Sequence, residues 1–159
     1  MPTYNSALLA AAMTIGACSS ADEDGFVEPT ITPGIVYAAA ASETRFDAWY
    51  NLLVTVSIEN TSAVPITLTY PASCPIRIRL YQPADDALVY DETKVVCPFD
   101  DQATITISPG ATRSIGSGFR GMVGIVGDSL RFATYRVFAV PQMEGHVFEV
   151  PAGSITLRQ

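Results

Sequence analysis

Apolar and polar residues alternate with a period of two along most of this chain, the spacing of a strand with one face buried. The clearest case is residues 52–70, LLVTVSIENTSAVPITLTY. Leu52, Val54, Val56 and Ile58 point one way and Leu53, Thr55, Ser57 and Glu59 the other, and then Ile66, Leu68 and Tyr70 alternate with Thr67 and Thr69. Asn60, Thr61, Ser62 and Pro65 supply turn chemistry between the two arms, so the stretch reads as an organising hairpin.

The same pattern recurs downstream. In residues 75–82 Ile76, Ile78 and Leu80 oppose Arg77, Arg79 and Tyr81, the Pro-Ala-Asp-Asp turn at 83–86 follows, and residues 87–90 return as a partner strand. Residues 103–107 and 112–119 predict further strands around Ser108-Pro109-Gly110, and residues 130–140 predict the last long strand. Residues 147–157 read as two short apolar pieces split by Pro151-Ala152-Gly153, and residues 35–41, IVYAAAA, as an edge strand despite the four alanines, which favour helix. Seven to nine short strands with Pro, Gly, Asp and Ser turns predict an all-β antiparallel sandwich, with a small closed barrel as the alternative.

Composition narrows the function classes. With 159 residues, 48% of them hydrophobic, the chain accommodates one domain and an appendage. Nine basic residues against sixteen acidic ones give a net charge of −7, which argues against a phosphate-tracking nucleic-acid binder. Asp22, Glu23, Asp24 and Glu28 all precede the first basic residue, Arg45, so the rest of the chain is only mildly acidic.

Candidate chemistry is sparse. The single histidine, His146, stands beside Gly145 with no G-x-S-x-G elbow in the chain, and reads as a loop residue. Gly121, Gly124 and Gly127 lack the Lys-Ser/Thr of a phosphate cradle. The acidic pairs Asp85-Asp86, Asp91-Glu92 and Asp100-Asp101 fall in or near turns but form no EF-hand loop. Tyr37, Phe46, Trp49 and Tyr50 suit either core packing or an exposed platform for sugars. The expectation is a non-enzymatic protein with no catalytic residue, metal site or cofactor.

The N-terminus predicts an address. Residues 7–17, ALLAAAMTIGA, form an apolar run of eleven, too short to cross a bilayer but the length of a signal-peptide core. The run ends Ile15-Gly16-Ala17-Cys18, which resembles the lipobox of bacterial lipoproteins. It departs from that pattern in carrying no Lys or Arg among residues 1–6. The resemblance implies a signal peptide at 1–17, diacylglyceryl attachment to the Cys18 sulfur, and an exported protein held at the cell envelope, on the outer membrane facing the periplasm. Two or more acyl chains give stable anchoring, since each buried methylene contributes about 0.8 kcal/mol. Residues 18–34 then read as an acidic tether without a fold of its own, and 35–159 as the sandwich domain.

Two cysteines remain, Cys74 and Cys97. If Leu80 faces Leu88 or Val89 across the turn at 83–86, residue 74 comes near the mid-nineties, and a disulfide would close the open end of that hairpin. A loop of about 20 residues closed in this way contributes roughly 3 kcal/mol. A metal pair or a redox pair are the alternatives; neither the C-x-x-C spacing nor surrounding histidines are present.

The order of motifs resembles the BsuPI-type domain, named for a bacterial intracellular proteinase inhibitor. The resemblance lies in Ser57-Ile58-Glu59-Asn60, Pro65-Ile66-Thr67-Leu68, the turn at 83–86, Ile107-Ser108-Pro109-Gly110 and Tyr135-Arg136-Val137-Phe138-Ala139, and covers about residues 50–140. It implies an immunoglobulin-like sandwich and, in function, proteinase inhibition through an extended loop or sheet edge, for which residues 119–130 are the longest candidate. The cysteine pair and the glycine-bearing insertion at 120–128 depart from the family pattern. The leading expectation is therefore an envelope lipoprotein presenting an immunoglobulin-like module to a protein partner or to the cell-envelope matrix, with proteinase inhibition as the alternative.

Overall fold

The structure, a computed structural model, describes residues 30–42, 45–47, 51–94, 96, 101–117, 120–121, 132–145 and 148–158. These form an all-β sandwich of the immunoglobulin-like kind, antiparallel except where the last strand pairs parallel with residues 45–47. One sheet carries β1 (Thr30–Thr32), β2 (Ile35–Ala41), β5 (Val54–Asn60) and β10 (Thr112–Gly116), in that order. The facing sheet carries β3 (Arg45–Asp47), β13 (Val150–Arg158), β12 (Thr134–Pro141), β7 (Ile76–Tyr81) and β8 (Leu88–Asp91). The core of this arrangement, β2-β5-β10 against β7-β12-β13, is the A-B-E against C-F-G layout of immunoglobulin sandwiches. Two ribbons complete it: β6 (Ile66–Pro71) with β9 (Gln102–Ile107), and β4 (Asn51–Leu52) with β11 (Arg120–Gly121). A short 3-10 helix, η1 (Glu92–Lys94), follows β8. Among the described residues nine strands have four residues or more, and the others are short flanking pieces.

The inward residues are those the alternation selects. Val54, Val56 and Ile58 of β5, Ile35 and Tyr37 of β2, and Ile115 of β10 meet Ile76, Ile78 and Leu80 of β7 and Tyr135, Val137 and Ala139 of β12 in one core. Each fully buried aliphatic side chain there contributes about 1.5–3 kcal/mol relative to exposure.

Four sequence expectations are corrected. The stretch at 52–70 is not a hairpin: β5 pairs with β2 and β10, whereas β6 pairs with β9. The cause is Asn60, which occupies the last inward position of β5 and is fully buried. Its Nδ2 donates to the carbonyls of Val64 (2.8 Å) and Ile107 (2.9 Å), while its Oδ1 accepts from Ser62 N (2.9 Å) and Ser62 Oγ (2.7 Å). This Asx-type turn, with both amide donors and both acceptor positions used, sends the chain across to the other ribbon instead of back along β5.

The second correction concerns Pro151-Ala152-Gly153, which does not split the last segment. β13 runs through it as one strand of nine residues, with a register shift against β12 between Arg136 and Phe138. Gly153 sits there at φ +92°, a bulge conformation in which a Cβ is strained. The extra residue slips the alternation by one, so that Val150 and Ala152 face inward before it and Ile155 and Leu157 after it. The segment at 130–140, realised as β12, is accordingly not the last long strand.

Third, β1 lies within the stretch expected to be tether. It hairpins onto β2 through Gly34 at φ +79°, so the sandwich begins by Thr30. Fourth, β2 is not simply an edge strand, since β1 covers its first half while β5 pairs along its whole length. Residues 1–29, which include the expected signal peptide, Cys18 and most of the tether, lie outside the described residues.

Candidate functional site

At one end of the sandwich the β6–β9 ribbon stands off the five-stranded sheet and leaves an open groove of about 980 Å³. Its walls come from Thr69, Tyr70 and Pro71 of β6, Gln102 of β9, Arg79 of β7, Thr93 of η1, Val140 and Pro141 of β12, and Gln142, Met143, Glu144, Phe148 and Glu149 of the connection between β12 and β13. The connection is fixed against the ribbon by Glu144 N donating to the Thr69 carbonyl (3.0 Å) and against β7 by Gln142 N donating to the Pro75 carbonyl (2.9 Å). Phe148 closes the inner side, its ring centroid 4.6 Å from that of core Tyr37. The volume lies at the upper end of the range for ligand sites, and the lining is mixed, with Tyr70, Pro71, Val140, Pro141, Met143 and Phe148 beside seven polar or charged residues.

One wall is an ordered charge cluster built by the outward residues of β7. The Arg79 guanidinium donates through Nε to Asp91 Oδ1 (3.0 Å), through one terminal nitrogen to Glu149 Oε1, and through the other to Thr93 Oγ1 (3.2 Å). Tyr81 Oη also donates to Glu149 Oε1 (2.8 Å). Asp91 is held in place from its own side by Thr93, whose N–H and hydroxyl both donate to Oδ1. Burial pushes the Asp91 carboxyl up, but the Thr93 hydroxyl and the Arg79 guanidinium together outweigh this and hold it below the usual carboxylate value. Hydrogen bonds from Arg79 to Glu149 and Asp91 raise the guanidinium further above its already high value. Burial and the bond to Glu149 raise Tyr81.

Behind the cluster Arg77 is buried, although the alternation assigns it to the solvent face. η1 and Cys74 cover it: one terminal nitrogen of Arg77 donates to the Glu92 carbonyl (3.1 Å) and the other lies 3.6 Å from Cys74 Sγ. Glu92, also buried, accepts Ile78 N–H on Oε2 (2.9 Å).

Of the residues singled out by sequence, the buried Cys74 is disulfide-bonded. Cys97, its expected partner, and Cys18 lie outside the described residues, as do His146, Trp49, Tyr50, Asp100, Gly124 and Gly127. Leu80 faces Tyr90 rather than Leu88 or Val89, with a register shift between Leu80 and Tyr81. Tyr37 is core, which removes it from any sugar platform. The acidic pairs serve turns and strands: Asp85 accepts Ala87 N–H, Asp86 pairs with Arg136, and Asp101 accepts Ser73 N–H. Among the described residues no group of three or more His, Cys, Asp or Glu could hold a metal. Of the expected loop at 119–130 only Arg120 and Gly121 are described, paired as β11 with β4.

Sequence reasoning did not find the groove. Its residues come from six segments spread over residues 69–149, and the one signal for it was the outward Arg79 and Tyr81 of an alternating strand.

No family model matches the chain, and no curated protein aligns with it. Among solved structures, the chain is similar to part of a β-glucosidase from Listeria innocua in complex with isofagomine, at 11% identity and TM-score 0.44, over 77% of this chain and 16% of that one. It is similar to the CARDB domain of the PF1109 protein from Pyrococcus furiosus, in complex with di-metal ions, at 12% identity and TM-score 0.43, over 82% and 89%. It is also similar to an alkylpurine DNA glycosylase from Pseudomonas fluorescens bound to DNA containing an abasic site analog, at 10% identity and TM-score 0.43, over 77% and 30%. The chain thus spans about one sixth of the β-glucosidase.

Proposed function

We propose that this chain is a non-enzymatic bacterial cell-envelope lipoprotein that presents its immunoglobulin-like sandwich as a protein-binding module. The groove carries the binding part of this reading: a concavity with an apolar floor, walled by side chains already locked by hydrogen bonds, can accept a partner at little ordering cost. Ile15-Gly16-Ala17-Cys18 carries the address, with export, lipid attachment at Cys18 and a place on the outer membrane facing the periplasm. The pairing of Cys74 with Cys97 belongs to the same reading, since an oxidising compartment sustains it. Protein taken directly from the envelope should then show no free thiol on mass-tagging under denaturing, non-reducing conditions; free Cys74 and Cys97 would speak against export.

The binding claim is tested by a photocrosslinking amino acid placed in living cells at Gln102, exposed at the groove, and separately at Glu59, exposed on β5. A protein adduct at position 102 and none at 59 is expected. No adduct, or equal adducts, would remove the groove as the binding surface.

A second reading is proteinase inhibition of the BsuPI type. It is supported by β8, the outermost strand of its sheet, on which Leu88 is exposed, because a protease cleft can accept such an edge as an added strand. Unchanged rates of a panel of serine proteases at micromolar protein would exclude it.

A further inference from the structure

We propose that the groove accepts a cationic, extended peptide, one that places a lysine or arginine beside an apolar side chain; this rests on the binding-module reading and names its partner's chemistry. Among the described lining residues Arg79 is the one cation, and its guanidinium is already engaged by Asp91, Glu149 and Thr93. Glu149 and the exposed Glu144 set two carboxylates against that single guanidinium among the described lining residues, and Asp91 adds a third directly behind it. An anionic ligand would meet this excess with no cation left to answer it, whereas a cationic one is drawn in and finds Glu144 at the mouth.

The floor decides between a peptide and a bare cation. The half-buried Tyr70, Phe148 and Pro71 offer apolar and aromatic surface there, over the buried Val140, Pro141 and Met143. A polyamine has no side chain to bury there. About 980 Å³ is room for several residues of extended chain, more than one side chain fills.

The test uses the chain purified from the envelope in mild detergent, with anisotropy of a fluorescein-labelled peptide of alternating lysine and valine, its glutamate–valine and lysine–glycine counterparts, and spermidine as competitor. The lysine–valine peptide should bind roughly tenfold more tightly than the other two, with affinity falling as salt rises. Glu144→Lys should abolish most of that preference, while Glu59→Lys, on the far sheet, should leave it unchanged. Equal affinity for the lysine and glutamate peptides, or displacement by spermidine at the same concentration as by the peptide, overturns the assignment. If position 102 still crosslinks a protein in cells under either of those outcomes, the binding module stands and only its ligand chemistry is wrong. Loss of the crosslink as well removes both.

Discussion

Asn60 is a fully buried polar side chain at the point where β5 ends. It takes an inward strand position that an aliphatic residue would otherwise fill, and uses all its hydrogen-bonding capacity to turn the chain from one sheet to the next ribbon. Asn60→Ala would take the Asn60 donor from the buried Ile107 carbonyl and the acceptor from Ser62 N and Oγ. It should destabilise the domain by about 2–3 kcal/mol, read as a lowered urea midpoint at unchanged slope. Asn60→Asp restores the acceptors but not the donors, and should not rescue. Asp91 sets a different observable. Its carboxyl is held below its ordinary value of 3.8 in the folded state, so the stability it contributes is present above that value and lost as pH falls through the lowered one. Tyr81 and Tyr37 are raised above 10.0, so folding loses stability as pH rises past that value. Denaturant titrations across pH should therefore give a plateau with an acid limb below about pH 4 and an alkaline limb above about pH 10. Asp91→Asn should lower the plateau and flatten the acid limb; an unchanged limb would show that Asp91 is not tied to Arg79 and Thr93 as described.

At the scale of elements, the existence of the strands was legible, and so was the β7–β8 hairpin, whereas the partners of β5 and β6 were not. Period-two alternation marks which residues of β5, β7 and β12 face the core, because every strand must bury one face whatever it pairs with. Pairing is decided by what happens at the ends: Asn60 reads as an ordinary turn residue in sequence, and only its burial reveals an arch between sheets. The Pro-Ala-Gly of β13 misleads in the same way, since a bulge and a turn call for the same residues. The bulge carries its own prediction. Gly153→Ala should cost about 1–2 kcal/mol, because φ +92° is strained for any side chain and relaxing it would turn Ile155 and Leu157 out of the core. A melting curve superimposable on that of the wild type would mean that the register shift lies elsewhere. The groove was illegible for a related reason: Tyr70, Arg79, Gln102, Glu144 and Phe148 share no motif, and only the departure of β6 and β9 from the main sheets brings them together.

For the whole molecule, the sandwich and its walled groove stand beside a membrane address that is proposed from residues 15–18. The proposed lipid on Cys18 would hold the groove within a tether's length of a lipid surface, and the eleven residues between Cys18 and the start of β1 would limit that reach to about 40 Å at full extension. A binding module held this way samples partners in a thin layer, at an effective concentration far above that of the free protein. All of this depends on the acylation of one sulfur. The most direct measurement is metabolic labelling with an alkyne analogue of palmitate, comparing wild type with Cys18→Ala and following both through membrane fractionation. The account predicts label and membrane recovery for the wild type, and neither for the variant. Equal absence of label from both, with both recovered in the soluble fraction, would contradict it.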